Sequence, residues 1–155
     1  MPRRPWVLMV YRLPREPSTP RIAVWRKLRR LGAVQLGDGV VALPESAETI
    51  EQFDWLAEEV TEAGGDALVW TDARTSGAQE RVLLGRMAEA LSGEYVEVAA
   101  TAADAPGDPA ARLRLVRQLR RDLYRIDRRD HVHPPEREAA RRAVDELAQA
   151  AAVQP

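Results

Sequence analysis

WVLMVYRLPREPSTPRIAVWRKLRRLGAVQLGDGVVALP, residues 6–44, decides the fold. Residues 6–11 form an apolar run rich in β-formers and too short for a globular helix, which predicts a strand buried on both faces. Residues 12–17 break the run. Thr19 is placed to cap a helix whose first position is Pro20, where a missing N–H costs nothing. Ile22, Trp25, Leu28 and Leu31 then recur every third residue as an apolar stripe, with Trp25 expected to pack the helix onto a sheet, and Gly32 ends the helix. Residues 33–36 and 40–43 flank Gly37, Asp38 and Gly39, whose types supply the positive φ of a tight hairpin turn.

Working outward, Ser46 caps a second helix whose apolar residues Ile50, Phe53, Leu56, Val60 and Ala63 share a face, and Gly64-Gly65 ends it. Trp55 falls off that stripe. Residues 67–70 read as a fourth strand. The order β-α-β-β-α-β predicts an α+β, ferredoxin-like sandwich, an antiparallel sheet with both helices on one face. After a loop at 71–78, three further helices follow. One is carried by Val82, Leu83, Met87, Leu91, Tyr95 and Val98, with Gly85 and Gly93 as mild interruptions. A breaker at 105–109 separates it from one carried by Leu113, Val116, Leu119, Leu123 and Ile126, and Pro134-Pro135 opens the last. None can bury its stripe alone, so they are expected to pack on one another and on the open face of the sheet. The expected organisation is a core at residues 1–72 and a helical extension at 73–155 packed on it as one domain.

The 155 residues are 45% apolar, enough for a real core, and contain no cysteine, which excludes disulfides, thiolate metal sites and a cysteine nucleophile. No stretch is long and apolar enough to span a membrane or to serve as an export signal, so the expected location is the cytoplasm. Net charge is −1, but the charges are segregated. Residues 12–30 carry six Arg and one Lys against Glu16, residues 45–66 carry eight acids and no base, and residues 112–129 carry eight Arg against Asp122 and Asp127.

The run VLMVYRLPREPSTPRIAVWRKLRRLGAVQLGDGVVALPES, followed by FDWLAEEVTEAGGDALVW and later by LRRDLYRIDRRD with its Pro-led helix, resembles the N-terminal domain of the ChrB family of chromate-resistance regulatory proteins. That resemblance covers most of residues 6–147 and implies an oxyanion-responsive, DNA-associated regulator. Full-length members of that family carry a second, C-terminal domain, whereas this chain stops at Pro155, so any function residing there is expected to be absent. Asp130-His131-Val132-His133 departs from the family pattern, in which aromatic residues follow the Asp. The β-α-β-β-α-β half further resembles the fold of CRISPR adaptation nucleases and of the phenylacetate repressor's regulatory domain. Those nucleases hold a divalent metal on an Asp at the end of the first strand, where this chain has Arg12, and a cation cannot ligate Mg²⁺.

Three candidate sites follow. Arg12, Arg15, Arg21, Arg26, Arg29 and Arg30 could hold an oxyanion such as chromate, because the guanidinium fork matches tetrahedral oxyanions bidentately. The competing reading is a solvated helix face in an Arg-biased composition. Arg112, Arg117, Arg120, Arg121, Arg125 and Arg128 could track a DNA backbone, or could pair with the acidic helix. His131 and His133, two apart on an extended segment, would point to one side and could bind a metal with Asp127 or Asp130, or could simply belong to a polar loop. Ser, His and Asp occur without nucleophile-elbow context, so no catalytic triad is readable. The expected function is a homodimeric, chromate-resistance type sensor that acts by binding rather than catalysis and needs no cofactor. The alternatives are a small metal-dependent enzyme or accessory protein using His131 and His133, and a partner domain for a separately encoded C-terminal half.

Overall fold

A computed structural model describes residues 4–153. The elements run β1 (Trp6–Arg12), α1 (Thr19–Leu31), β2 (Val34–Gly37), β3 (Val40–Pro44), α2 (Ala47–Glu62), β4 (Asp66–Ala73), α3 (Gly77–Ala103), α4 (Pro109–Arg128) and α5 (Pro135–Val153). The four strands form one sheet in the order β2-β3-β1-β4, with every neighbouring pair antiparallel. This is the α+β, ferredoxin-like architecture expected from the order of elements. The chain divides into two compact units, Met1–Leu84 and Gly85–Pro155, with the boundary inside α3.

In the first unit, Val7 and Met9 of β1 pair with Leu43 and Val41 of β3, and all four are buried. Val24 and Leu28 of α1 and Phe53, Leu56 and Val60 of α2 complete this core. α2 lies against β1 and β4, and α1 lies against α2. A capping box starts α2. The Ser46 hydroxyl accepts the Thr49 N–H at 3.1 Å, and the Thr49 hydroxyl accepts the Ser46 N–H at 2.8 Å.

Several local expectations need correction. β1 is not buried on both faces, because its second face carries Val10, opposite Leu68, and both stay exposed. An antiparallel sheet needs only one covered face. β4 and α3 together consume most of the expected loop at 71–78, and α3 passes through Gly85 and Gly93 unbroken. The cap of α1 also shifts: Ser18 is the N-cap, Thr19 is already helical, and Ser18 makes no side-chain capping bond. Its own backbone is helical (φ −79°, ψ −16°) rather than extended, so its hydroxyl is not presented to the first-turn amides.

The apolar stripe of α1 is likewise different. Residues three apart on an α-helix drift by about 60° per step, so Ile22 and Leu31 lie on opposite sides. The spacing that holds one face is Val24, Leu28, Leu31, and Val24 and Leu28 are the buried residues of this helix. Trp25 is 50% exposed rather than packed onto the sheet.

The second unit is built by helices packing on one another. Leu91, Tyr95 and Val98 of α3, Val116, Leu119 and Leu123 of α4, and Ala140, Val144 and Leu147 of α5 share one apolar cluster. Asp108 caps α4 by accepting the Ala111 N–H at 2.8 Å. Among the described residues, no helix is long and apolar enough to cross a membrane.

Two aromatic residues on α2 test this core. Phe53 is fully buried and Trp55 is 60% exposed. Phe53→Ala should cost about 3–5 kcal/mol and Trp55→Ala no more than about 0.5 kcal/mol, read from urea midpoints followed by far-UV circular dichroism. Equal costs would contradict this packing.

A candidate anion groove and a basic helix

In the first unit, the end of β1, the following loop, the first turns of α1 and the β2–β3 hairpin enclose an open groove of about 840 Å³. Arg12 reaches it from β1, Arg15 from the loop, and Arg21 and Arg26 from α1. Among the described residues, none of these four arginines has a carboxylate partner. The single acid in the lining is Asp38. The acidic α2 meets α1 elsewhere, through an ion pair between Lys27 and Glu59. A surface pair of this kind is worth about 0–1 kcal/mol, so it neutralises one cation and leaves the groove basic.

The helix phase explains which arginines converge. Arg21 and Arg26 flank the direction in which Ser18, Ile22 and Trp25 point. Arg29 shares that direction one turn further on, and its guanidinium carbon sits 5.0 Å from the centre of the Trp25 ring, a cation–π contact. Arg30, a turn beyond Arg26, does not line the groove. Of the arginines singled out in the sequence, the structure thus gathers Arg12, Arg15, Arg21 and Arg26, stacks Arg29 beside them, and leaves Arg30 outside. Tyr11, Trp25, Gln35 and Asp38 also line the groove, and of these Tyr11, Gln35 and Asp38 were not foreseen as site residues. Burial raises the pKa of the Tyr11 hydroxyl, and the positive charge of Arg21 pulls it partly back. The first turn of α1 offers no acidic residue, so its amides add to the positive potential rather than being neutralised.

In the second unit, α4 separates its residues sharply. Val116, Leu119, Leu123 and Ile126 are buried on one side. Arg114, Arg117, Arg120, Arg121, Tyr124 and Arg128 are exposed on the other. Their spacings of three and four residues keep them on one stripe. Arg125 borders it and pairs with Asp122 at 3.5 Å. The Arg128 guanidinium carbon lies 5.8 Å from the Tyr124 ring centre. Among the described residues, Arg114, Arg117, Arg120 and Arg121 have no carboxylate partner. Arg112 falls off the stripe, and its Nε donates to the Pro106 carbonyl at 2.7 Å.

His131 and His133 sit in a turn, not on an extended segment, so their spacing does not aim both rings one way. His133 has a left-handed backbone (φ 50°). Asp130 organises the turn: its buried Oδ1 accepts the N–H groups of Val132 and His133 at 2.9 and 2.7 Å. His133 Nδ1 lies 3.4 Å from Asp130 Oδ2. The buried Tyr95 hydroxyl donates into the space between Asp130 Oδ2 and Asp127 Oδ1, at 2.8 and 2.9 Å. Asp127 further accepts from Arg137 Nε at 3.1 Å and Arg141 Nη2 at 2.7 Å. Among the described residues, no group of three or more His, Asp or Glu side chains is arranged to hold a metal. Tyr95, Arg137 and Arg141 escaped the sequence reading. Arg137 and Arg141, four apart at the start of α5, are the signal that could have found the ion pairs.

A family profile described as "Protein ChrB, N-terminal" matches residues 21–106. The chain is 36% identical over 69 residues to Protein ChrB of Cupriavidus metallidurans, a match covering 44% of this chain and 21% of that relative. The chain thus matches about a fifth of that relative's length. An uncharacterized protein from Mycobacterium tuberculosis superposes with a TM-score of 0.58 and 17% identity, covering 96% of this chain and 61% of the other. That likeness speaks to the fold.

The Tyr95 corner sets a pH dependence. Burial pushes both carboxyls up, yet donors outweigh it: Arg141, Tyr95 and Arg137 hold Asp127 below the ordinary carboxylate value, and the His133 and Val132 amides and Tyr95 do so for Asp130. Groups with depressed folded-state pKa values contribute stability that is present above the unfolded value and is lost as pH falls through the folded one. Asp130→Asn should therefore cost about 1–3 kcal/mol at neutral pH and flatten the loss of stability between about pH 5 and pH 2, measured by urea unfolding at several pH values. An unchanged acid slope would contradict this assignment.

Proposed function

The chain belongs to the ChrB N-terminal family, and from that premise we propose that it is the sensing and DNA-contacting part of a chromate-responsive regulator, acting by binding rather than catalysis. The observation that carries this reading is the convergence of Arg12, Arg15, Arg21 and Arg26 on one groove, with no carboxylate partner for any of them among the described residues. Holding four like charges side by side opposes folding, and an anion relieves that opposition. The guanidinium fork offers two parallel N–H donors to a tetrahedral oxyanion. Arg12 at the end of β1 also argues against metal-dependent cleavage, because a divalent cation needs oxygen ligands there.

The α4 stripe supplies the second half of the reading. An exposed row of arginines on a helix otherwise buried along its opposite side suits a phosphate backbone, where counterion release supplies the affinity. A homodimer would present two such helices to successive half-sites. If the anion alters DNA affinity by some factor, DNA must alter anion affinity by the same factor.

Two measurements test the reading. In calorimetric titration with chromate and sulfate, Arg21→Ala should weaken binding about 10- to 100-fold, the loss expected for a charge-assisted contact. Absence of anion binding to the unaltered protein would reject the groove assignment. For promoter DNA, log K should fall against log salt with a slope near −5 if about six phosphates are neutralised, and Arg117→Ala with Arg121→Ala should reduce that slope by about 2. A salt-independent affinity would reject the role of α4.

A further inference from the structure

The groove is larger and chemically more varied than a bare oxyanion requires. Its volume of about 840 Å³ lies within the range of about 300–1,000 Å³ that accommodates drug-sized organic ligands, several times what one tetrahedral anion fills. Its lining is also mixed in chemistry. Beside the arginines of the β1 end and of α1, the hairpin presents Gln35 and the carboxylate of Asp38. A site meant only for an anion gains nothing from a carboxylate in its wall. A ligand with one anionic end and one neutral, hydrogen-bonding end would use both.

The indole of Trp25 lies on the same wall and is half exposed. Solvating so large an apolar surface is unfavourable unless a ligand covers it. Arg29 stacks against the ring, which steadies it and enriches the surroundings in positive charge. An aromatic platform beside cationic forks is the pairing that binds a base by stacking and its phosphate by charge-assisted hydrogen bonds.

Resting on the reading of this groove as an anion site, we infer that it takes a nucleotide, with the phosphate among Arg12, Arg15, Arg21 and Arg26 and the base stacked on Trp25. Gln35 and Asp38 face the base or ribose as hydrogen-bonding partners. A free tetrahedral oxyanion such as chromate or sulfate then competes for the phosphate position alone. The nucleotide could be free or part of a single strand, and both carry the same stacked base and phosphate.

Calorimetric titration of the full chain with AMP, ribose 5-phosphate, inorganic phosphate, sulfate and a short single-stranded oligothymidylate tests this. AMP should bind about tenfold or more tighter than ribose 5-phosphate, the contribution of one stacked base. Trp25→Ala should erase that difference, while Trp25→Phe retains much of it. Because Trp25 is half exposed, its variants should keep the native urea midpoint. Sulfate should displace AMP competitively. An oligonucleotide binding much more tightly than AMP, with the same dependence on Trp25, identifies a single strand as the source, and equal affinities identify the free nucleotide. Equal binding of AMP and phosphate, indifferent to Trp25→Ala, overturns the inference while the oxyanion site stands. Failure of every anion to bind overturns both.

Discussion

Two glycines grip the end of β1, and the groove exists because they do. A Cβ on Gly39 would stand 2.2 Å from the Tyr11 carbonyl oxygen, and one on Gly65 would stand 2.2 Å from the Arg12 carbonyl oxygen. Neither position tolerates a side chain without moving backbone. Gly39 also has a left-handed backbone (φ 71°), which costs other residues about 1–2 kcal/mol. The Tyr11 N–H donates to the Gly39 carbonyl at 2.8 Å, drawing the hairpin turn onto the last residues of β1. Asp38 is thereby brought to the same wall as Tyr11 and Arg12. On the other side, Gly65 lets the turn after α2 run close beneath Arg12. The strand end is fixed from two directions, so an arginine placed there has a defined origin despite its long side chain.

That fixed origin matters for the electrostatics. Four arginines that have no carboxylate partner among the described residues repel one another, and the repulsion stays modest because the groove is open and water screens it. A deeper cavity would impose a desolvation cost no folded domain of this size could carry. The arrangement is therefore poised: tolerable when hydrated and more favourable when an anion replaces the water. The Tyr95 corner of the second unit shows the opposite solution. There buried Asp130 and partly exposed Asp127 receive backbone amides, a hydroxyl and two guanidinium groups, so their charge is satisfied internally and serves the fold.

The elements were legible where the signal is local. The apolar run of β1, the glycine-flanked hairpin and the Ser46 capping box each lie within a few residues and depend on backbone preference. The order of these elements then constrains the sheet. What escaped the sequence depended on phase or on distance. Counting in threes puts Trp25 on the apolar stripe, whereas the buried face of α1 follows four and three through Val24, Leu28 and Leu31. The sequence offers the meeting of Arg12 with Arg26 only as a cluster of charge along the chain, and the fold decides that Arg30, one turn further along α1, lies beyond the groove. Tyr95 lies more than thirty residues from the two carboxylates it joins, and no local pattern announces such a partnership.

The identity of one residue at the end of β1 fixes which ligands this scaffold can attract. A carboxylate there would gather a divalent cation, and the cation would in turn recruit and polarise a phosphate. Arg12 inverts the first of these steps by presenting positive charge directly to the anion. The exchange also removes an oxygen ligand that a divalent cation would need. The surrounding arginines follow the same logic, since a metal site in their midst would be repelled by each of them. A strand end ringed by guanidinium groups offers positive charge and N–H donors, not the oxygen ligands that a divalent cation needs.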